Sequence, residues 1–441
     1  MKKYFGTDGV RGKANIDLTV ELATRLGRAA VRALGGPGHT FVVGRDTRIS
    51  GKMLETALIA GFLAEGASVY LTGIIPTPAI AFLTEDLPAE AGVVISASHN
   101  PYDDNGIKFF GPGGVKLPDE TEKSIEKEFE ELKLSEGSPV GVVRPVRDSE
   151  KRYIEHLTSS IPSDLSGMKV ALDCANGAAF RVCPEVFKRL GAEVEVICAE
   201  PDGKNINKDC GSTHPERLSR LVLDWKADVG FALDGDADRC ICVDENGEVR
   251  DGDFIMAIAA KYMKQRELLE PPVVVSTVMS NLGFYRFLEN EGIRSVQVKV
   301  GDRYVLEGML ESGAVLGGEQ SGHIIFMEHA STGDGILTAL IISAIMKETG
   351  EKLSSLASIM RKYPQVLLNV RSKTGRRLTK DSKVWEFVRS FENELGGEGR
   401  ILVRSSGTEP VERVMVEART EQKAKEIANR IAEALDREIN G

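Results

Sequence analysis

The chain has 441 residues, of which 42% are hydrophobic and 28% are charged, a composition typical of soluble globular proteins. A chain of this length exceeds a single hydrophobic core, so we expect two to four domains. The net charge of -10 argues against nucleic-acid binding, which needs a basic surface. An anionic substrate would be repelled by this charge unless local cations or a metal bind it.

The N-terminus and the cysteines favour a cytoplasmic protein with neither a membrane nor a nucleic-acid partner. No apolar run follows Lys2 and Lys3, which argues against a signal peptide, and no segment approaches the roughly 18 apolar residues of a membrane helix. The 6 cysteines lie between Cys174 and Cys242 and form no C-x-x-C pair. We therefore expect reduced, inert thiols.

One pattern occurs three times along the chain. Apolar segments at 40–46, 168–177 and 272–281 are each followed by a helical stretch, a glycine and a second apolar segment. In the first copy the helix covers about 53–66 and ends at Gly66. Strand, helix, glycine and strand are the order of βαβ units in a sheet covered by helices. The pattern predicts three α/β domains but leaves their common ancestry open, since any α/β protein repeats this order.

The tail of the chain after about Tyr363 follows a different pattern. It predicts strands at 366–374 and within 401–419, followed by a polar helix at 420–439. The predicted fold is therefore three α/β domains of mixed-sheet βαβ type and a smaller C-terminal α+β domain. The expected domains are residues 1–150, 151–250, 251–365 and 366–441.

The segment 92–114 carries the first candidate site. A buried strand at 93–95 delivers Ser98 at its C-terminal end, where parallel α/β sheets place ligand sites. Ser98 beside His99 suggests an activated nucleophile, but adjacent residues on an extended chain face opposite sides, so we expect His99 not to serve as its base. Lys108 follows ten residues later and could return to the same cleft. A polar turn is the alternative for this segment.

Three acidic residues follow a second apolar strand. Asp234, Asp236 and Asp238 are spaced by two, so on an extended chain their side chains face one way. Such carboxylates repel each other unless a cation lies among them, and an all-oxygen ligand set suits Mg²⁺. An EF-hand shares this spacing through Glu245, but Arg239 occupies its glycine position and a strand precedes the loop, so we exclude it. A solvated acidic turn is the alternative, and the apolar strand before it favours the metal site.

The glycine-rich segment 317–326 carries a third set of polar side chains. Glu319, Ser321 and His323 can hydrogen-bond sugar hydroxyls, and His323 could transfer protons. A loop that only connects two strands is the alternative here.

The segment 404–413 is rich in donors that suit phosphate. Arg404 and Arg413 supply guanidinium groups, and hydroxyl and backbone N–H groups lie between them. The further donors are Ser405, Ser406, Gly407 and Thr408. We interpret the segment as a phosphate cradle, with a Ser-Gly turn between strands as the alternative.

Seven motifs occur in order over nearly the whole chain: GTDGVRG, SASHNP, NGIK, DGDADR, GDRYV, GEQSGH and RSSGTEP. As an ordered set they resemble the α-D-phosphohexomutase family. The resemblance implies four domains around a central cleft, three of them related α/β units. It also implies an isomerase that moves a phosphoryl group between two hydroxyls of a phosphosugar.

The GEQSGH motif is typical of the bacterial subgroup that acts on glucosamine phosphate. Relatives that act on mannose or glucose phosphates usually carry methionine at the position of Gln320. The resemblance therefore implies interconversion of glucosamine 6-phosphate and glucosamine 1-phosphate, which feeds UDP-N-acetylglucosamine synthesis. A phosphomannomutase/phosphoglucomutase and a non-catalytic sugar-phosphate-binding protein are the alternatives.

The resemblance also implies a role for each motif residue. Ser98 would be the phosphoserine, and its phosphate would hold one Mg²⁺ per chain together with the three aspartates. Glucosamine 1,6-bisphosphate would be the intermediate and activator, and the enzyme would be a monomer or homodimer. The acid and base candidates are Lys108 and His323, the assisting cations Arg11 and Arg239, the sugar ligands Arg303, Glu319 and Ser321, and the phosphate ligands Arg404, Ser406, Gly407, Thr408 and Arg413.

Two positions depart from the pattern of the family. Ser405 stands where the phosphate loop usually has proline, which puts the rigidity of that loop in doubt. Ala237 stands where the metal loop more often has glycine. Neither change removes a chemical group that the mechanism needs.

Overall fold

The computed structural model of the chain describes residues 4–6, 8–132, 139–373, 375–379, 381–405 and 411–441. The chain forms two compact units. The larger unit comprises residues 1–279 and 292–359, and the smaller comprises 280–291 and 360–441. No helix among the described residues has both the length and the apolar composition that crossing a bilayer requires.

The first part of the larger unit is a mixed sheet with helices. Its strands are β1 Val10–Lys13, β2 Thr40–Arg45, β3 Ser68–Ile74, β4 Ala91–Ile95, β5 Asp104–Phe110 and β6 Val143–Pro145, and its helices are α1 Val20–Ala33, α2 Gly51–Ala64, α3 Thr77–Asp86 and α4 Asp119–Glu131. The strand order is β1-β5-β4-β2-β3-β6.

The second part repeats this architecture. Its elements are α5 Ser149–Ser159, β7 Lys169–Asp173, α6 Val182–Arg189, β8 Glu193–Ile197, α7 Glu216–Trp225, β9 Val229–Leu233, β10 Cys240–Asp244 and β11 Val249–Arg250. The strand order is β11-β10-β9-β7-β8.

The third part contains the last sheet of the larger unit. Its elements are α8 Gly252–Gln265, β12 Val273–Thr277, α9 Leu282–Asn290, β13 Arg294–Val298, α10 Asp302–Ser312, β14 Leu316–Gly318, β15 Ile324–Phe326, α11 Gly335–Thr349 and α12 Leu353–Ala357. The strand order is β13-β12-β14-β15. Helix α9 belongs by its contacts to the smaller unit.

The smaller unit contains an antiparallel sheet and helices. Its elements after α9 are β16 Gln365–Arg371, α13 Val384–Leu395, β17 Gly399–Ser405, β18 Val411–Ala418 and α14 Glu421–Asn440. The strand order is β16-β18-β17, and both neighbouring pairs are antiparallel.

The three sheets of the larger unit share one strand topology. In each, the first strand pairs in parallel with the second and the third, and the third turns back antiparallel into the fourth. The sets are β2-β3-β4-β5, β7-β8-β9-β10 and β12-β13-β14-β15. The predicted fold class of three related α/β units and a C-terminal α+β domain is confirmed.

The predicted strands and helix ends agree with this topology. The apolar segments at 40–46, 168–177 and 272–281 contain β2, β7 and β12. Gly66 follows the end of α2 with a φ of 82°, a left-handed conformation that favours glycine over residues with a side chain. The domain boundaries near 150, 250 and 365 stay predictions.

One helix of the smaller unit was missed from the sequence. Helix α13 lies between the predicted strands and buries Val384, Val388, Phe391 and Leu395. These residues are spaced by four, three and four, which is the spacing of one helix face. This helical spacing is present in the sequence, but the segment lies between two predicted strands and its helix was not predicted.

A buried carboxyl group begins the apolar helix α11. Asp334 Oδ1 accepts hydrogen bonds from the N–H groups of Ile336 and Leu337, both at 3.0 Å, so it caps the helix. Asp334 Oδ2 accepts a 2.6 Å hydrogen bond from the hydroxyl of the buried Tyr153. Burial raises the pKa of Asp334 to about 6, because the charged carboxylate is poorly solvated there.

We predict that this carboxyl makes stability depend on pH. Between about pH 4 and about pH 6 the folded carboxyl keeps its proton while the unfolded one loses it. The free energy of unfolding therefore falls as pH rises, by up to about 1.4 kcal/mol per pH unit. Asp334→Asn keeps the capping oxygen and removes this contribution. The difference in unfolding free energy between wild type and variant, measured by chemical denaturation, should therefore decline across this window and stay constant above it.

The matched control is Asp224→Asn, on the exposed face of α7. It should leave the pH profile of the wild type unchanged. A constant difference between wild type and Asp334→Asn from pH 4 to pH 7 would contradict the prediction.

Candidate active site

The three equivalent hairpins of the larger unit bring the predicted side chains together. Ser98 follows β4 and donates a 2.5 Å hydrogen bond from Oγ to Asp234 Oδ2, in the loop after β9. Lys108 Nζ, on β5, lies 3.0 Å from Asp236 Oδ2. His323 Nδ1, just before β15, lies 3.5 Å from Asp238 Oδ2. One cluster therefore contains the serine, the acidic trio and both acid–base candidates.

The acidic trio converges through a turn. Strand β9 ends at Leu233, and Ala237 has a φ of 58°, so the expected extended conformation of this segment is wrong. Ligand oxygens of Asp234, Asp236 and Asp238 nevertheless lie within 4.8 Å of one another. The turn gathers the carboxylates more closely than a strand would, because alternate residues of a strand lie about 7 Å apart.

The trio fits a divalent cation with oxygen ligands. Asp236 Oδ1 and Asp238 Oδ1 are buried and have no hydrogen-bond partner among the described residues. Burial, followed by the charges of Asp238 and Asp236, raises the pKa of Asp234 well above its usual value. A cation among the three carboxylates would relieve this repulsion and would give the two buried oxygens a partner.

Small residues let two loops approach each other: the one with Asp234, Asp236 and Asp238, called the metal loop, and the one with Ser98, called the serine loop. A Cβ atom on Gly235 would lie 2.6 Å from the carbonyl oxygen of Ser98 and 2.8 Å from Nδ2 of Asn207. Any larger residue there would push the two loops apart. Ala237 takes a left-handed conformation that costs a residue with a side chain about 1 kcal/mol, which explains why glycine is more usual at this position.

His99 lies closer to Ser98 than the sequence indicated. Ser98 has a φ of 51°, and His99 Nδ1 lies 3.4 Å from Ser98 Oγ. The expectation that the two side chains face opposite sides is wrong, because a left-handed residue interrupts the extended chain. Burial, then the charges of Arg239 and Arg11, lowers the pKa of His99 to about 4. Its imidazole is therefore neutral at pH 7.

Lys108 is held as a cation between two carboxylates. Its Nζ lies 2.9 Å from Asp8 Oδ2, in addition to the contact with Asp236. Burial lowers the pKa of Lys108, but the charges of Asp236 and Asp8 outweigh it and raise the pKa far above the usual value. Lys108 can therefore donate a proton or stabilise negative charge, whereas it cannot accept a proton while charged.

Asp8 is a site residue that the sequence analysis missed. It binds Lys108, Arg11 and also Lys116, whose Nζ lies 2.9 Å from Asp8 Oδ1 and 2.7 Å from Asp302 Oδ1. The available signal was its position in the GTDGVRG motif, three residues before Arg11. Asp8 links the predicted cation Arg11 to the cluster around Lys108.

The two ring nitrogens of His323 are both engaged. Burial lowers the pKa of His323, but the hydrogen bond with Asp238 outweighs it and raises the pKa to about 9. The N–H of Gly333 points to Nε2 at 3.1 Å, which opposes a second proton on the ring. These contacts therefore place a proton on Nδ1, where it faces Asp238.

Arg239 lies beside the acidic trio. Its Nε is 3.8 Å from Asp238 Oδ1, and its backbone N–H donates to Asp234 Oδ1 at 3.3 Å. Burial lowers the pKa of Arg239, but the charges of Asp238 and Asp234 outweigh it and raise the pKa. The guanidinium therefore offsets part of the negative charge of the trio.

The predicted sugar-binding residues Glu319 and Ser321 form hydrogen bonds within the protein. Glu319 accepts hydrogen bonds from the Gly301 N–H at 2.9 Å and from the Ser321 hydroxyl at 3.1 Å. The Gln320 amide donates to Asp253 Oδ2 on α8 at 3.1 Å. Gln320, the residue that indicated glucosamine specificity in the sequence, therefore connects the segment 317–326 to helix α8 by a hydrogen bond.

Arg303 lies in the cavity next to the cluster but is paired with helix α4. It lines this cavity together with Lys108 and His323. Its guanidinium binds Asp119, and Arg303 Nη2 lies 2.5 Å from the buried Glu122 Oε1. A substrate phosphate would have to compete with these two carboxylates for Arg303.

The segment 404–413, predicted to be a phosphate cradle, belongs to the smaller unit and is partly outside the described residues. Arg404 and Arg413 are directly opposite each other on β17 and β18. Burial, then the like charge of Arg413, lowers the pKa of Arg404. Two facing guanidinium groups favour an anion between them. The predicted ligands Ser406, Gly407 and Thr408 lie outside the described residues.

Ser405 secures the end of strand β17. It is the last residue of β17, and its hydroxyl donates to the buried Glu412 at 2.7 Å and 2.9 Å. A proline at this position could not make this bond. The serine therefore anchors the strand end by a different interaction.

A fully buried arginine holds the serine loop, and it too was missed. Arg48 donates to the carbonyl oxygens of Ser98 at 2.9 Å, Asn100 at 2.8 Å and Asp104 at 3.1 Å. Its Nε donates to Asp46 Oδ2 at 2.8 Å, which compensates its charge. Arg48 follows β2, at the edge where the predicted ligand sites lie, so its position was the available signal.

Four domain descriptions of one protein family match the chain in order. They are those of phosphoglucomutase/phosphomannomutase, alpha/beta/alpha domains I, II and III and C-terminal domain, and they match residues 2–136, 151–247, 251–363 and 367–434. The chain belongs to this family. The phosphohexomutases are isomerases that transfer a phosphoryl group, so the enzyme class expected from the motifs is confirmed.

Full-length relatives of this phosphohexomutase are named phosphoglucosamine mutase. The one from Desulforamulus reducens is 53% identical over 441 residues and covers 99% of both chains. The one from Clostridium acetobutylicum is 51% identical over 448 residues and covers 100% of both. The one from Geobacillus thermodenitrificans is 52% identical and covers 100% of this chain and 99% of its own.

Solved structures show the same fold. A phosphoglucomutase/phosphomannomutase family protein from Burkholderia thailandensis has a TM-score of 0.83 and 25% identity, covering 99% of this chain and 98% of its own. An Aspergillus fumigatus N-acetylphosphoglucosamine mutase, solved in complex with GlcNAc-6P and magnesium, has a TM-score of 0.70 and 20% identity, covering 99% and 96%.

We predict that Arg48→Lys slows turnover of this phosphohexomutase with little change in KM. A lysine ammonium cannot reach the three carbonyl oxygens and Asp46 together, so the serine loop loses its fixed position while the substrate-binding groups remain. We expect kcat to fall about tenfold or more, corresponding to about 1.4 kcal/mol on the barrier. Steady-state kinetics measure this, with Arg437→Lys on the exposed face of α14 as the control. A wild-type kcat in Arg48→Lys would show that Arg48 does not position Ser98.

Proposed function

We propose that this phosphohexomutase interconverts glucosamine 6-phosphate and glucosamine 1-phosphate through a phosphoserine at Ser98. The observation that carries the proposal is the 2.5 Å contact between Ser98 Oγ and Asp234 within a buried acidic trio. A protein that only binds a sugar phosphate needs neither a serine oxygen to carry a phosphoryl group nor a group of metal ligands beside that oxygen. The full-length relatives named phosphoglucosamine mutase support the choice of sugar.

The proposed reaction proceeds in two transfers. Phospho-Ser98 gives its phosphoryl group to O1 of glucosamine 6-phosphate, which forms glucosamine 1,6-bisphosphate. The 6-phosphoryl group of this intermediate then returns to the Ser98 oxygen, and glucosamine 1-phosphate is released. Each step breaks one P–O bond and forms another, so positioning and charge compensation carry most of the catalysis.

One Mg²⁺ per chain is the cofactor we propose for the trio. Asp234, Asp236 and Asp238, with the phosphate of Ser98, would hold it, and the two unpartnered buried oxygens support this assignment. When bound, it supplies positive charge beside the transferred phosphoryl group. Arg11 and Arg239 add fixed cations at the same place.

Proton transfer is assigned to groups around the Ser98 oxygen. Lys108, which is held protonated, is the proposed acid for the serine oxygen when it leaves the phosphorus. His323 is the candidate that exchanges a proton with the sugar hydroxyl. The neutral His99, 3.4 Å from Ser98 Oγ, is an additional candidate acceptor for the serine proton.

The remaining motif residues are proposed to bind the sugar and its resident phosphate. Glu319 and Ser321 would bind sugar hydroxyls, and Arg303 would help to bind the substrate. The phosphate ligands would be Arg404, Ser406, Gly407, Thr408 and Arg413. The facing pair of Arg404 and Arg413 supports an anion site at this end of β17 and β18. We further propose a cytoplasmic enzyme that acts as a monomer or homodimer.

We predict that wild type converts glucosamine 6-phosphate with a higher kcat/KM than glucose 6-phosphate or mannose 6-phosphate, and that Ser98→Ala abolishes turnover. The alanine has no oxygen to carry the phosphoryl group. A coupled assay with the three sugars side by side measures the first point. Intact-mass analysis should find one phosphoryl group on the wild-type peptide with Ser98 and none on the variant.

A preference for mannose or glucose phosphate would favour the phosphomannomutase/phosphoglucomutase alternative. Binding of the sugars without turnover would favour the non-catalytic alternative. Ser159→Ala on α5 is the control, because Ser159 is exposed and its hydroxyl donates to the backbone carbonyl oxygen of His156 in its own helix.

We predict that Asp236→Asn weakens Mg²⁺ binding at least about tenfold, because the ion loses one anionic ligand. Calorimetric Mg²⁺ titration without substrate measures this directly. The control Asp224→Asn removes an equal charge on an exposed helix and should bind Mg²⁺ as the wild type does. Equal affinity in wild type and Asp236→Asn would remove Asp236 from the proposed metal site.

A further inference from the structure

A second cluster of metal-ligating side chains lies in the larger unit. Asp173, Cys198 and Cys210 each offer one ligand atom, and the three atoms lie within 4.8 Å of one another. Asp173 ends β7, and Cys198 follows the end of the neighbouring parallel strand β8. Cys210 lies before α7. The group therefore occupies the carboxyl edge of the sheet β11-β10-β9-β7-β8, where α/β sheets bind ligands.

The spacing of the three atoms is compatible with one bound ion, and both cysteines are free thiols. Zinc binds sulfur at about 2.3 Å and carboxylate oxygen at about 2.1 Å in tetrahedral geometry, so ligand atoms lie roughly 3.5 to 3.8 Å apart. Atoms up to 4.8 Å apart need only small shifts to reach this arrangement. A disulfide would instead require the two sulfurs to approach to about 2.05 Å.

The carboxylate can still accept a ligand. Asp173 Oδ1 accepts a hydrogen bond from the Ala175 N–H and Oδ2 accepts one from the Gly211 N–H, both at 2.9 Å. The Cys198 thiol is also hydrogen-bonded to this carboxylate, and this bond is given up when the thiol loses its proton to bind a metal. Each carboxylate oxygen has two lone pairs, so the carboxylate can then bind an ion while both backbone bonds remain. The two backbone bonds also fix the orientation of the carboxylate. The ligands of metal ions are commonly oriented by hydrogen bonds of this kind.

Cys198 differs from the other cysteines of the chain. It is partly exposed, whereas the other five are buried, so an ion can reach the cluster through it. The hydrogen bond from Cys210 lowers the pKa of Cys198 and raises that of Cys210. The thiolate is the form that binds metals, and the two sulfurs lie close enough to share one ion.

We propose that Asp173, Cys198 and Cys210 bind one thiophilic divalent cation, Zn²⁺, with a fourth position open to water. This site goes beyond the phosphoryl transfer and does not depend on which sugar the enzyme converts. Under this proposal the pair departs from the expectation of inert thiols, which stays a prediction for the four remaining cysteines.

The cluster is linked to the serine loop by short contacts. The Asn207 N–H donates to the carbonyl oxygen of Ala175 at 2.9 Å, and Asn207 Nδ2 donates to the carbonyl oxygen of Ser98 at 2.8 Å. An ion held by Asp173 and Cys210 would clamp the two turns on which Asn207 depends. We therefore expect Zn²⁺ to raise the unfolding temperature of the larger unit.

Cobalt titration tests the site with a readout that carboxylates alone cannot give. The full chain, saturated with Mg²⁺ to fill the acidic trio, is titrated with Co²⁺. Wild type should develop sulfur-to-cobalt charge-transfer absorption at one ion per chain, and Zn²⁺ should displace it. Cys198→Ser and Cys210→Ser should lose the band. The controls Cys174→Ser and Cys242→Ser should keep it.

A measurement on wild type alone guards against misfolded variants. Zn²⁺ should protect Cys198 and Cys210 from alkylation by iodoacetamide, as read by peptide mass mapping. Absence of the charge-transfer band in wild type, its persistence in Cys198→Ser, or a Cys198–Cys210 disulfide in the protein as purified would each overturn the proposal.

Discussion

The mutual repulsion of three buried carboxylates is the constraint on which this structure depends. Asp234, Asp236 and Asp238 lie within 4.8 Å of one another in the interior, where isolated charges are strongly unfavourable. The fold surrounds them with three cations: Lys108 on β5, Arg11 on β1 and Arg239, which directly follows Asp238. Two buried carboxylate oxygens, on Asp236 and Asp238, still lack a hydrogen-bond partner among the described residues, which leaves them able to bind a cation.

The repeated topology explains why these groups meet. In each of the three α/β units the third and fourth strands form an antiparallel hairpin, and each hairpin carries one chemical function. The first provides Ser98 and Lys108, the second the acidic trio, and the third His323. Equivalent positions of a repeated fold thus face one another, and each hairpin needs only a few polar side chains because the other two complete the site.

Backbone strain and buried hydrogen bonds maintain this arrangement. Ser98 and Ala237 both take left-handed conformations, which cost residues with side chains on the order of 1 kcal/mol. Arg48 offsets the cost at Ser98 through bonds to the carbonyl oxygens of Ser98 and of residues that follow it, and Gly235 leaves the space that the two loops share. The proposed zinc cluster extends the same support, because Asn207 connects it to the serine loop.

The amino-acid sequence by itself determined the strands, the repeated βαβ order, the family and the residues with reactive groups, because periodicity, turn residues and motifs are local properties. It identified Ser98, Lys108, His323 and the acidic trio, which the fold brings together. It failed for His99 and for the extended metal loop, because a left-handed residue reverses the side-chain directions that strand periodicity predicts. Asp8, Arg48 and the Cys198–Cys210 pair gain their significance only from partners distant in the chain, and those contacts are decided by tertiary packing.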